Sequence, residues 1–140
     1  MTVRQAIEKR IREQVTGFRL VAGSADLRSV VTGSVTPPAA YVFEVGRTAK
    51  ANQLIRAVEQ EITESYAVVI VVANYRDAKG SDGADSCREL CDQVAQALLG
   101  WQPAEASTSM EYAKGQLVDM HDNHFYWQDV YTTTSLIGSV

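Results

Sequence analysis

The stretch from Val58 to Val72 limits the possible folds of this chain more than any other segment. Val58, Ile62, Tyr66, Val68, Ile70 and Val72 share one parity, and Glu59, Glu61, Thr63 and Ser65 share the other. A period of two belongs to a strand with one buried face, because successive side chains point to opposite sides of a sheet. From Ala67 to Val72 both parities are apolar, which predicts a central position covered on two faces. The first half is polar on one side and is expected to extend beyond the sheet.

The segments around it supply the rest of a fold. Thr2 and Gln5 have the spacing of a capping box, and Val3, Ile7, Ile11 and Val15 recur as one stripe, so a first helix is expected to end near Gly17. A second short helix is predicted from Ser24 to Val31, burying Leu27, Val30 and Val31. Gly33 and Pro37-Pro38 then break regular structure. Ala40 to Val45 reads as a strand ended by Gly46, with Arg47 to Leu54 as a polar loop. Asn74 to Gly83 reads as a charged loop. A helix follows from Ala84 to Leu99, stopped in the left-handed manner by Gly100 and barred from continuing by Pro103. Ala104 to Ser109 is a small-residue linker. Glu111–Met120 and Phe125–Ile137 then form a hairpin about Asp122-Asn123. The predicted class is α+β: a mixed, mostly antiparallel β-sheet with two main helices packed on one face, as one domain over residues 1–140.

Composition excludes several roles. The net charge of −4 argues against nucleic acid as the main partner, since phosphate binding needs a concentrated basic surface. No apolar run approaches a membrane span, and the mixed polar N-terminus does not read as a signal peptide. Cys87 and Cys91 lie four apart in a predicted helix, facing one side and poorly placed to bridge each other. With Leu90, Val94 and Leu98 on the same stripe they read as core, in a reducing compartment.

The search for chemistry yields candidates without a convergent set. His121 and His124 stand opposite each other across the predicted turn near Asp119 and Asp129, a start toward a zinc site but also an ordinary polar hairpin tip. There is no Gly-x-Ser-x-Gly elbow, no phosphate-binding loop and no Gly-x-Gly-x-x-Gly. Glu59, Glu61 and Glu64 read as a solvated strand face. In the closing strand Phe125, Trp127, Asp129 and Tyr131 share one face, while Tyr126, Val130 and Leu136 share the other. Both sides therefore need cover. No catalytic residue, metal or cofactor is expected.

The run Leu98-Leu99-Gly100-Trp101-Gln102-Pro103, followed by a hairpin that carries Trp127-Gln128-Asp129, resembles the tail terminator family of long-tailed bacteriophages. The resemblance implies an α+β ring subunit, hexameric, that caps the finished tail tube and docks to the head-proximal connector. DNA would pass through its channel as cargo, without base readout. It implies a virion tail or neck component assembled in the bacterial host cytoplasm, with no membrane role. Arg47, Lys50, Arg56, Arg76, Asp77 and Lys79, in the two charged loops, are the candidates for contacts with the tube or between ring subunits. The alternatives are another neck component, such as a head-tail joining or tail completion protein, or a small cytosolic metal- or ligand-binding domain using the His121/His124 turn.

Overall fold

The computed structural model describes residues 1–74 and 81–139. Its elements in chain order are α1 (Val3–Gln14), β1 (Leu20–Gly23), α2 (Leu27–Thr32), β2 (Ala39–Ala49), β3 (Val58–Ala73), α3 (Ser81–Leu98), β4 (Glu111–His121) and β5 (His124–Ser139). The strands make one sheet in the order β1-β2-β3-β5-β4, in which only the β1–β2 pair is parallel. The α+β class holds, with α1 and α3 on one face and the short α2 on the other.

The parity read from the sequence sorts the core. Tyr66, Val68, Ile70 and Val72 of β3 pack with α1 and α3, together with Ile7, Ile11, Val94 and Leu98. Ala67, Val69 and Val71 pack on the opposite face with Val30 of α2, Phe43 and Tyr126. β5 divides as expected, Phe125 and Tyr131 toward the main helices and Tyr126 toward α2. Burial on both faces is the reason this part of β3 tolerates no polar residue, since each would need a partner in a dry interior.

The ends of the elements follow from local chemistry. The Thr2 hydroxyl accepts from the Gln5 backbone N–H at 3.1 Å, and the Gln5 side-chain Oε1 accepts from the Thr2 N–H at 2.9 Å, completing the capping box. Asp26 caps α2 by accepting from the Ser29 N–H at 2.8 Å. Gly100 terminates α3 at φ +79°, a conformation that costs residues with a Cβ about 1 kcal/mol or more. The linker after it is pinned: Gly100 N–H donates to Met110 and Met110 N–H to Trp101, and Ser107 N–H donates to the Thr134 carbonyl at 2.7 Å. Asp122 and Asn123, at φ 52° and 59°, form the two-residue turn that matches strand twist.

α1 is fastened to the sheet edge by ionic contacts. Buried Glu8 accepts from Arg4 and Arg12, and Arg12 Nε donates to the Val21 carbonyl at 3.2 Å. Arg10 Nε donates to the Ala97 carbonyl at 2.9 Å, and its guanidinium lies over Trp101 at 5.5 Å, joining α1 to the end of α3.

Four expectations are corrected. The second helix starts at Leu27 behind its Asp26 cap, not at Ser24, because the Asp26 side chain takes the Ser29 N–H. Gly46 does not end β2. A bulge between Glu44 and Gly46 absorbs one residue, and Arg47, Thr48 and Ala49 stay extended because Glu64, Thr63 and Ile62 of β3 offer them partners. The first half of β3 does not leave the sheet: Val58–Ser65 pairs with β5 along its whole length, down to Val58 opposite Ser139. α3 begins at Ser81, so Ser81, Asp82 and Gly83 are helical, not loop. Asn74 Oδ1 accepts from the Gly83 N–H at 3.2 Å, giving one free amide of that first turn a partner.

Candidate functional site

Two surfaces stand out, and both exist because helix cover is uneven. α1 lies over β1 and β2, and α3 over β3 and β5. The far ends of β2, β3 and β5 run on beyond them as a three-stranded arm. Every residue from 44 to 59 is exposed. The arm keeps its shape through backbone pairing and its own turn. Lys50 N–H donates to the Glu61 carbonyl at 2.9 Å. The Asn52 side chain donates to the Ala57 carbonyl at 2.9 Å and accepts from the Glu59 N–H at 3.0 Å. Arg56 sits at φ 68°, an uncommon conformation for a residue with a long side chain.

The arm carries Arg47, Lys50 and Arg56. Arg47 Nε reaches Glu44 at 3.0 Å, and Lys50 Nζ reaches Glu61 at 3.3 Å. These pairs are exposed and contribute little to stability, so breaking them costs little. Arg47 stands on a strand, where the sequence suggested a loop. Arg76, Asp77 and Lys79 lie outside the described residues. Val45, Leu54, Val58, Leu136 and Ile137 on the same arm are exposed, and Ile55 at its tip is 89 % exposed.

The second surface is a groove of about 480 Å³ between α3 and the edge strand β4. Ala95 and Leu99 form one wall, Tyr112 the other, and Phe125 and Trp127 the floor. Asp129 also borders it, yet is only 3 % exposed. Its Oδ1 accepts from the Tyr112 hydroxyl and from Trp127 Nε1, both at 2.8 Å. Gly115 lies directly opposite Asp129 on β4. A Cβ there would meet the Tyr112 hydroxyl at 2.2 Å and Asp129 Oδ1 at 2.3 Å, so only glycine leaves room for this cluster. Burial, and then the bond to Asp129, push the Tyr112 phenol up to about 12. Tyr112 also meets the buried Tyr131 ring edge-on at 5.4 Å. Strand parity put Trp127 and Asp129 on one face. Tyr112 and Gly115 were missed, because their register passes through a bulge between Tyr112 and Lys114 that the sequence does not announce.

The other candidates resolve as structure. Cys87 and Cys91 are buried and free, with sulfurs 3.8 Å apart, and the Cys91 thiol is pushed up by its contact with Cys87 and by burial. Such thiols are poor nucleophiles. His121 does stand opposite His124 across the turn. Its ring stacks on Tyr126 at 5.0 Å, and Nδ1 lies 3.3 Å from Asp119. Among the described residues no group of three or more His, Cys, Asp or Glu side chains is arranged to hold a metal ion. Glu64 faces the helix side, not the solvated side, and accepts from the Tyr66 and Ser135 hydroxyls at 2.5 Å. No helix among the described residues is long and apolar enough to cross a membrane.

Compared with known proteins, the chain matches the family model described as "Phage tail terminator protein" over residues 2–139, nearly its whole length. No curated protein matches it significantly.

Proposed function

This chain belongs to the phage tail terminator family, and we propose that it caps the finished tail tube, stops its polymerisation and presents the docking surface for the head-proximal connector. Family membership makes it a structural component of the phage tail. The finer reading is a closed ring, expected to be hexameric, built from the chain acting as one unit over residues 1–140. Tail DNA passes through the channel as cargo. A ring suits this task because a heterologous interface that closes leaves no growing end.

The observation that carries this reading beyond the family match is the arm. An ordered, three-stranded projection that exposes Leu54 and Ile55 and contributes little to the core suits a surface that must mate with something else. Arg47, Lys50 and Arg56 on the arm are its proposed charged contacts. Arg76, Asp77 and Lys79 are proposed with them on the sequence alone. No bond is made or broken in this role.

Negative-stain microscopy of the purified protein mixed with matching tail tubes tests the proposal. The expected result is one ring at one end of each tube and no further growth there. Replacing Arg47, Lys50 and Arg56 together by Glu is expected to cut the capped fraction by roughly tenfold, since like charges at an interface are strongly unfavourable. Tubes that continue to grow past the bound protein would remove the terminating role. A triple variant that caps as well as the unaltered protein would remove these three side chains from the contact.

A further inference from the structure

Resting on the ring reading above, we propose that the arm tip of one subunit, led by Leu54 and Ile55, seats in the groove between α3 and β4 of a second copy of this chain. Three observations point to a copy of the chain as the occupant. The first is the distribution of exposed apolar side chains. Apart from Met1 and Leu20, every large apolar side chain exposed among the described residues belongs either to the arm or to the groove side of the molecule. Leu99, Tyr112, Leu117 and Met120 make up the second group. Leu117 and Met120 stand opposite Trp127 and Phe125, so they extend the wall that Tyr112 begins. Two such patches on one subunit are what a head-to-tail contact requires.

The second is charge. Arg47 and Lys50 are paired with Glu44 and Glu61 of the arm, so its tip, residues 51–58, carries Arg56 and no acidic residue. The helix wall of the groove carries Arg88 and Asp92, paired at 3.0 Å, and the exposed positions next to them on α3 are Asp85 and Glu89. A tip with one positive charge and an apolar end therefore meets an apolar groove with Asp85 and Glu89 beside it, and opposite charges favour that docking over tip-to-tip contact.

The third is geometry. β5 continues past Thr132, where β4 starts, so β4 flanks the helix-covered body and not the arm. From Ser65 to Val58 the arm extends roughly 25 Å at the rise of a strand, held straight by its ladders. It cannot fold back into the groove of its own chain without breaking them. An added strand on the outer edge of β4 is a poorer occupant for that side, because bulges between Tyr112 and Lys114 and between Leu117 and Asp119, and Lys114 itself, spoil the edge for pairing. The groove, of about 480 Å³, is large enough for the two aliphatic side chains at the tip.

Disulfide trapping of full-length protein tests the contact in solution and captures it even where the ring is transient. Ile55→Cys protein is mixed with Leu99→Cys protein, and separately with Tyr112→Cys protein, so that one misfolded groove variant does not void the experiment. Leu20→Cys, exposed on β1 outside both patches, is the control partner, and unaltered protein reports on Cys87 and Cys91. After mild oxidation, non-reducing gels are expected to show roughly tenfold more mixed dimer with a groove partner than with the control, because a recurring contact raises the effective concentration. Equal yields with groove and control partners overturn the proposal. So do Ile55→Cys dimers outcompeting the mixed species. Failure of the wider reading looks different. Unaltered protein that caps tubes while no groove pair cross-links keeps the terminator role and removes the contact. Efficient cross-linking by protein that leaves tubes uncapped keeps the contact and removes that role.

Discussion

The two halves of β3 share one strand and its hydrogen-bond ladders but sit in opposite surroundings. From Tyr66 to Val72 side chains are sealed by helices on both faces, and Ile70 is 0 % exposed. From Val58 to Ser65 the neighbouring strands continue and the helices do not; Val58 is 43 % exposed, and Ile62 is the one buried apolar side chain of this half. The outer arm is held chiefly by backbone pairing, whereas stability comes where apolar area leaves water, at about 25 cal/mol per Å². A chain divided in this way holds an exposed surface in place without making its own folding depend on that surface.

The largest test of this division is a matched pair of truncations on the one strand. Ile70→Ala is expected to cost about 3 to 4 kcal/mol in equilibrium denaturation, and Val58→Ala no more than about 0.5 kcal/mol. Similar losses at the two sites would show that the arm is part of the cooperative core. A smaller effect compares two carboxylates. Asp129→Ala strands the Tyr112 and Trp127 donors and is expected to cost about 2 kcal/mol. Glu61→Ala, which removes only an exposed pair with Lys50, is expected to cost less than about 0.5 kcal/mol. Combining Asp129→Ala with Tyr112→Phe should cost less than the sum of the two, since they share one bond.

The smallest effect is a dependence on alkaline pH. The Tyr112 phenol holds its proton more tightly folded than unfolded, with its value pushed up to about 12. The unfolded chain therefore ionises first. The contribution is whole below about pH 10 and is lost as pH rises toward 12. Tyr66 and Tyr131 are shifted the same way by burial. Denaturation midpoints are expected to fall from about pH 9 to about pH 11, and less steeply in Tyr112→Phe. An unchanged slope in that variant would assign the alkaline loss to the two deeper tyrosines.

The sequence offers Arg47, Lys50 and Arg56 as contact candidates but does not announce the extended shape of the arm that carries them. Residues 47 to 49 have no marked strand preference, and the Gly46 beside them reads as a stop. They are extended because Ile62, Thr63 and Glu64 lie within pairing distance. β1 is extended for the same reason: four residues become a strand only when β2 presents a parallel edge. The groove is likewise a matter of what α3 leaves uncovered.

By itself the amino-acid order determined what depends on near neighbours. It set the two faces of β3 and β5 by parity, the Thr2–Gln5 cap, the stop at Gly100, the turn at Asp122-Asn123 and the buried stripe of Cys87 and Cys91. Tertiary structure alone decided how far β2 runs, which strand lies beside which, that Gly115 makes room for Tyr112 to reach Asp129, and that one end of the sheet stands free. The reason is range. Caps, turns and side-chain periods are fixed within a few bonds, whereas pairing and cover are chosen among distant segments that meet only once the chain has folded.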